Sequence, residues 1–170
     1  MKDVIIIGGG PAGLSAALNL RRSGKSVLIL EKETFGGQIA NSPRVENLPG
    51  IKEIAGSDFA SSFFDQVTEL GAEFELEEVL SLAKENNIFK VHTNYHDYEA
   101  RSVIIATGVK HRTFNIPNEI ALEGKGVSYC AVCDGAFYKD EDVCLVGDAN
   151  TALQYALLLT NYCKHVYLYT

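Results

Sequence analysis

Positive charge, cysteine, proline and unbroken apolar runs are all scarce in this 170-residue sequence, and each shortage excludes something. Lysine and arginine number 15 against 22 aspartates and glutamates, a formal charge of −7. No excess of cations is left to neutralise phosphates over a broad surface, which argues against a nucleic-acid or anionic-membrane partner. Four cysteines are too few for a disulfide-stapled secreted scaffold, though enough for a redox pair or a metal site. Four prolines beside 15 glycines and 46% hydrophobic residues describe a packed globular chain rather than a disordered or fibrous one. No stretch approaches the ~20 continuous apolar residues of a membrane span. Val4 to Leu20, following Lys2, has the look of a secretory leader, but Gly8, Gly9, Gly10, Pro11 and Gly13 interrupt it and Asp3 stands where such a leader is basic. A soluble, cytoplasmic chain is the expectation.

The elements that are present alternate between strand and helix, which predicts an α/β fold. Val4-Ile5-Ile6-Ile7 is a β-branched run of the kind buried on both faces of a parallel sheet. Ala12 to Arg22 has helical spacing with Gly24 as a stop signal, and Ser26 to Leu30 reads as the next strand. From Gly36 to Gly56 the chain is too polar and punctuated for a regular element. Ser57 is the expected N-cap of a helix reaching about Leu70, because Phe59, Phe63, Phe64 and Val67 recur at helical spacing. Glu77 to Arg101 reads as a small β-meander with turns at Asn86-Asn87 and His96-Asp97, and Val103 to Ala106 returns to the buried-strand pattern.

A second unit repeats the first. Asp142 to Val146 reads as a strand, Asn150 to about Tyr162 as a helix and Val166 to Tyr169 as a strand. Laid over the first unit, Val4 falls on Val143, Gly8 on Gly147 and Gly13 on Ala152. Two successive Rossmann-like dinucleotide-binding units are therefore expected, the first over residues 1–112 with the meander and the second beginning within 113–170.

Gly8-x-Gly10-x-x-Gly13 lies between the first strand and helix, and Glu31 ends the next strand. The first glycine makes the tight turn, the second admits a pyrophosphate against the backbone, and the third lets helix and strand pack closely. Pro11 and Ala12 open the helix whose N-terminus supplies free N–H groups to the anion, and Glu31 is placed to accept hydrogen bonds from a ribose. The glycines do not choose between NAD and FAD.

Cys130-Ala131-Val132-Cys133-Asp134-Gly135 is the second chemical feature. Two cysteines so spaced can close a small disulfide ring, a thiol at a helix start is acidified toward thiolate, and Asp134 is placed to exchange protons with a sulfur. Half of a zinc site is the competing reading, but Cys144 and Cys163 form no second close pair. Cys144, inside Val143-Cys144-Leu145-Val146, is expected to be a small buried thiol. No metal is expected.

Gly36-Gly37-Gln38, Val45-Glu46-Asn47-Leu48-Pro49-Gly50, Ala106-Thr107-Gly108 and Gly126-Val127-Ser128-Tyr129 with the cysteine pair together resemble the bacterial-type thioredoxin reductases, from residue 3 to the end. The resemblance implies FAD in the first unit. Gly36, Gly37, Gln38 and Asn47 would lie beside the flavin, Val79 near the adenine, and Ala106, Thr107 and Gly108 would close over the cofactor. It also implies that Cys133 meets the flavin, that Cys130 attacks the partner's disulfide, and that Asp134 is the acid-base group. The partner implied is thioredoxin or a thioredoxin-like protein, the assembly a homodimer, and the whole polypeptide much longer than 170 residues.

In that family the second unit binds NADPH, and here its motif departs. Asn150-Thr151-Ala152 fits the family's turn, but Asp148 and Ala149 replace two of its glycines, adding negative charge and a Cβ beside a phosphate, Gln154 and Tyr155 stand where it has two Glu, and Thr170 replaces its His. These departures resemble a branch reduced by ferredoxin, so impaired NADPH binding is the expectation. An atypical NADPH enzyme and a non-catalytic flavin-binding redox sensor remain the alternatives.

Overall fold

Val4, Ile5 and Ile6 present apolar side chains to both faces of the strand they form, and β1 (Lys2–Ile7) accordingly lies inside a six-stranded sheet. The computed structural model describes all 170 residues, which divide into two compact units, Met1–Lys110 and His111–Thr170. In the first, α1 (Pro11–Arg22), β2 (Val27–Glu31), α2 (Gly56–Glu69), β3 (Glu73–Leu76), β4 (Val79–Glu85), β5 (Ile88–Thr93) and β6 (Asp97–Ile105) follow β1. The strand order is β3-β2-β1-β6-β5-β4. β1 pairs in parallel with β2 and β6, β2 in parallel with β3, and β4, β5 and β6 pair antiparallel.

Alternation along β1 and β2 supplies both faces with core. Val4, Ile6, Val27 and Ile29 pack on Leu14 and Ala17 of α1 and Val67 of α2, whereas Ile5, Leu28 and Leu30 pack with Val91 and Ala100 of the meander. Each such fully buried side chain contributes about 1.5–3 kcal/mol of transfer free energy. The alternation therefore holds the helices on one face and the meander on the other.

Several local expectations change. The helix begins at Gly56 with Ala55, not Ser57, as its N-cap. A Cβ at Gly56 would lie 1.8 Å from the Ile39 carbonyl oxygen, so backbone packing against the preceding loop sets the start and no side-chain cap is made. That loop holds a 3₁₀ helix at Gly37–Asn41 and a bridge between Val45 and Ile54, structure that its polar composition concealed. β2 runs one residue later than expected and β3 was not foreseen, since only Phe74 of its four residues is even half-buried. Asn86 and Asn87 both take positive φ and close the β4–β5 hairpin as expected. The next turn precedes Asp97, because the Thr93 N–H donates to the His96 carbonyl at 2.9 Å. β6 is one continuous strand, where the sequence suggested a meander strand followed by a separate one.

A buried carboxylate ties the β3–β4 corner to that turn. Glu77 is 5% exposed and accepts from the Thr93 hydroxyl at 2.5 Å, the Tyr98 hydroxyl at 3.0 Å and the His96 ring Nδ1 at 2.7 Å. Burial alone would push its pKa up, but the bonds from Thr93, His96 and Tyr98 outweigh burial and hold it below the ordinary 4.5. Burial and the bond to Glu77 push the Tyr98 phenol up to about 12. A depressed carboxylate stabilises the fold fully above its unfolded value and loses that contribution as pH falls through the folded one. Glu77→Gln is therefore expected to lower the thermal midpoint of the first unit by about 5–10 °C at pH 7. The gap should narrow as the pH is taken from about 5 to 3, and a pH-independent gap in circular-dichroism melts would refute the assignment.

In the second unit, α3 (Ala131–Asp134) precedes β7 (Asp142–Val146), α4 (Asn150–Leu159) and β8 (His165–Tyr169), with β7 and β8 parallel. The expected repeat holds to the residue: Val4↔Val27 recurs as Val143↔Val166, and Ile7↔Leu30 as Val146↔Tyr169. Cys144 is exposed on β7, correcting the buried thiol expected from its apolar neighbours, while Cys163 is buried and burial pushes its thiol pKa up. No helix of the chain is long and apolar enough to cross a membrane.

Candidate functional site

Parallel strands end together, and here β1, β2 and β6 deliver Gly8, Glu31 and Ala106 to one edge of the sheet. β2 and β6 lie on opposite sides of β1, so the chain leaves β1 at a topological switch point, where crevices in α/β sheets form. Backbone bonds knit the three ends: Gly8 N–H to Leu30 O at 2.8 Å, Ala106 N–H to Ile7 O at 2.8 Å, and Gly36 N–H to Gly9 O at 2.8 Å. Glu31 accepts from the Gly9 N–H at 2.7 Å through one carboxylate oxygen and from Lys32 and Glu33 through the other.

The glycine roles are geometric. Gly8 has φ +111°, and a Cβ there would sit 2.2 Å from the Ala106 carbonyl oxygen. A Cβ on Gly13 would sit 2.0 Å from the Gly8 carbonyl oxygen, so α1 can approach the turn only without one. At Gly10 the nearest atom to an added Cβ is the Gly37 Cα at 3.9 Å, leaving the cradle open above the turn. Gly10 is the N-cap of α1, Pro11 its first residue, and the first amide bond back to Gly10 O comes from Leu14 at 2.9 Å. The Ala12 and Gly13 N–H groups thus precede the intrahelical ladder, as an anion site requires. An open cradle, free amides and a terminal carboxylate fit the phosphates and ribose of a dinucleotide.

Gly36, Gly37 and Gln38 come to this same edge. Gly37 packs on Gly10, and the Gln38 amide donates to the Val109 carbonyl just past Ala106, Thr107 and Gly108. Asn47 is exposed in the long loop, and Val79, at the start of β4, packs with the Ile5, Leu28 and Leu30 cluster.

In the second unit Cys130 and Cys133 are joined as a disulfide, with their Cα atoms 5.2 Å apart. Cys130 is the N-cap of α3, and its Sγ accepts from the Cys133 N–H at 3.2 Å, an interaction that stabilises a thiolate at Cys130. Cys133 is exposed and Cys130 half-buried. The Asp134 carboxylate accepts a bond from the Ser128 hydroxyl at 2.6 Å. No group of three or more His, Cys, Asp and Glu side chains that could hold a metal ion is present.

The buried carboxylate that precedes this turn is not legible in the sequence. Glu119 is 4% exposed and accepts from the Tyr129 hydroxyl at 2.6 Å and from the Phe114 N–H at 2.9 Å. The Tyr129 bond, then the backbone bonds, hold Glu119 below the usual carboxylate range, and Glu119 in turn raises Tyr129 to about 12. His111 stacks on the Tyr129 ring at 3.5 Å. A lone glutamate in a polar connection carries no periodic signal. Only its place three residues beyond Ile116 hinted at a local loop bond.

The second cradle keeps the first one's backbone and changes its lining. Gly147 N–H donates to Tyr169 O at 3.0 Å, matching Gly8 to Leu30, and the N-cap Ala149 is extended as Gly10 is. A depression of about 180 Å³ is lined there by Asp148, Ala149, Asn150 and Thr170, among others.

Two nucleotide-type units on one chain, the second entered through a Cys-x-x-Cys disulfide, define a disulfide oxidoreductase scaffold of the dinucleotide-fold type. The chain belongs to the pyridine nucleotide-disulphide oxidoreductase family, whose model matches residues 2–170. It is 41% identical over 167 residues to the thioredoxin reductase of Bacillus subtilis, covering 96% of this chain and 52% of that protein. It is 43% identical over 171 residues to that of Helicobacter pylori, covering 99% and 55%. Among solved structures, the thioredoxin reductase of Streptococcus pyogenes superposes with a TM-score of 0.95 at 40% identity, over 99% of this chain and 55% of that one. The chain thus spans about half the length of the curated relatives it matches. The thioredoxin reductases of this family are flavoproteins that bind FAD.

Proposed function

We propose that the chain is the FAD- and disulfide-bearing part of a thioredoxin reductase, which reduces thioredoxin or a similar small protein through Cys130 and Cys133. The observation that carries this reading is a closed Cys-x-x-Cys disulfide, followed in sequence by Asp134, on the same chain as an open dinucleotide cradle. Gly8, Gly10 and Gly13 with the α1 amides would hold the FAD pyrophosphate, and Glu31 the ribose. When bound and reduced by the electron donor, FAD would supply the two electrons that open the Cys130–Cys133 disulfide to the dithiol.

The dithiol then does the rest. The Cys130 thiol gives its proton to Asp134, and the thiolate attacks the partner's disulfide. A Cys130–partner bond forms as the partner's S–S bond breaks, and the departing thiolate takes the proton from Asp134. Cys133, deprotonated in the same way, attacks the Cys130 sulfur, re-forms the internal disulfide and releases the partner's second thiolate, which is protonated in turn. Two electrons have left the cysteine pair and one partner disulfide has become two thiols.

For the electron donor, the lining of the second cradle supports a source other than NADPH, with ferredoxin as the matching one. Ala149 carries a Cβ where Gly10 carries none, and Asp148 brings negative charge to a phosphate site. NADPH is the second reading, favoured by the intact Gly147–Tyr169 bond and the extended N-cap. The expected result is one FAD per chain and slow anaerobic bleaching of that flavin by stoichiometric NADPH, against fast bleaching by reduced ferredoxin. Rapid reduction by NADPH would select the second reading, and absence of FAD binding would remove the first unit's role. The homodimer is likewise a proposal, tested by sedimentation equilibrium.

A further inference from the structure

We propose that Ser128 is the positioning residue for Asp134, fixing the carboxylate in the orientation from which it takes a cysteine proton and returns it to the departing thiolate. The proposal rests on the reading of Asp134 given above and adds a residue which that reading does not use.

Ser128 stands two residues before Cys130, and its hydroxyl is placed between both parts of the motif. Its oxygen accepts from the Cys130 N–H at 3.1 Å and its proton goes to Asp134 Oδ2 at 2.6 Å. A hydroxyl has one proton to give. The other acceptor in reach, the Cys130 carbonyl, is 3.4 Å away, so the shorter, charge-assisted bond takes it. The Asp134 backbone is tied to the same turn, its N–H donating to Cys130 O at 3.0 Å. Main chain and carboxylate are therefore both referenced to Cys130. With Oδ2 engaged by Ser128, Oδ1 is the oxygen left to meet a thiol proton. Remove the hydroxyl and the carboxylate is free to rotate, while the disulfide, α3 and the Cys133 N–H to Cys130 bond are untouched.

The test uses the full chain, reduced with dithiothreitol, freed of it, and mixed with glutathione disulfide as an alkyl disulfide whose leaving thiol needs a proton. Ser128→Ala is expected to slow the single-turnover exchange about five- to tenfold, the loss of one positioned proton-transfer partner's alignment. Ser128→Thr keeps the hydroxyl and is expected to stay within about twofold of wild type, which separates positioning from loss of fold. In an Asp134→Asn background Ser128→Ala should change nothing further, because its effect passes through the carboxylate. A wild-type rate in Ser128→Ala, or an equal slowing in the Asp134→Asn background, would overturn the proposal. A wild-type chain that does not exchange at all would instead overturn the reading of the cysteine pair, so the two failures are distinct.

Discussion

Cys133→Ser, reduced and mixed with glutathione disulfide, is expected to stop at a covalent adduct of one glutathione on Cys130. Wild type should pass through that adduct and end with its internal disulfide restored and two glutathione thiols released. The difference comes from geometry: Cα atoms 5.2 Å apart keep the second sulfur permanently beside the first. Replacing an intramolecular attack by one from solution removes a large effective concentration, so resolution should slow by at least about a thousandfold. Cys130→Ser should instead react slowly from the start, because Cys130 is the sulfur that the Cys133 N–H stabilises as thiolate. Intact-mass spectrometry reads both outcomes. FAD content should be unchanged in either variant, since no cradle residue is altered. An adduct on Cys133 in wild type, or equal rates in the two variants, would reverse the assigned roles.

The second large effect is expected at Gly13→Ala. Its Cβ would lie 2.0 Å from the Gly8 carbonyl oxygen, a backbone atom that β1 and the Leu30 bond to Gly8 hold in place. Relief requires α1 to move away from β1, opening the packing of Leu14 and Ala17 on Ile6. Overpacking of this kind costs about 3 kcal/mol, and the displaced N-terminus should weaken FAD binding by about a hundredfold or more. The second unit supplies the control, because Ala152 occupies the equivalent place there and is buried. Ala152→Gly should cost only about 1 kcal/mol, the ordinary helix penalty. Flavin fluorescence titration with thermal melts decides it, and wild-type FAD affinity in Gly13→Ala would show that the close approach is dispensable.

What the sequence made legible is what local spacing determines. The Gly8, Gly10 and Gly13 pattern, the buried runs of β1 and β2, and the repeat that places Val143 opposite Val166 are all written in consecutive residues. Contacts that depend on distant parts of the chain were not. Ser57 has the chemistry of an N-cap, yet the fit of Gly56 against Ile39 placed the helix start. Cys144 has apolar neighbours on both sides, yet its face of the two-stranded β7–β8 pair is open. Glu77 and Glu119 carry no local signal of burial, because the Thr93, Tyr98 and Tyr129 hydroxyls that bond them come from elsewhere in the chain. Within the site, the cysteine pair was plain, and Ser128 was not, because a serine two residues ahead of a cysteine is common and its bond to Asp134 spans six residues.

β1 is made well before β6, and its pairing in parallel with β6 joins Lys2 to Ala100 and Ile7 to Ile105. The hairpins β4–β5 and β5–β6 close locally, but β1 has to wait for nearly a hundred further residues before its second edge is covered. At about 5–20 residues per second that is roughly 5–20 s with an apolar strand half-exposed on the ribosome. The nascent chain therefore passes through a stage in which Ile5 and Ile6 are open to chaperones and to misassociation, and slowing translation between residues 31 and 97 should lengthen it.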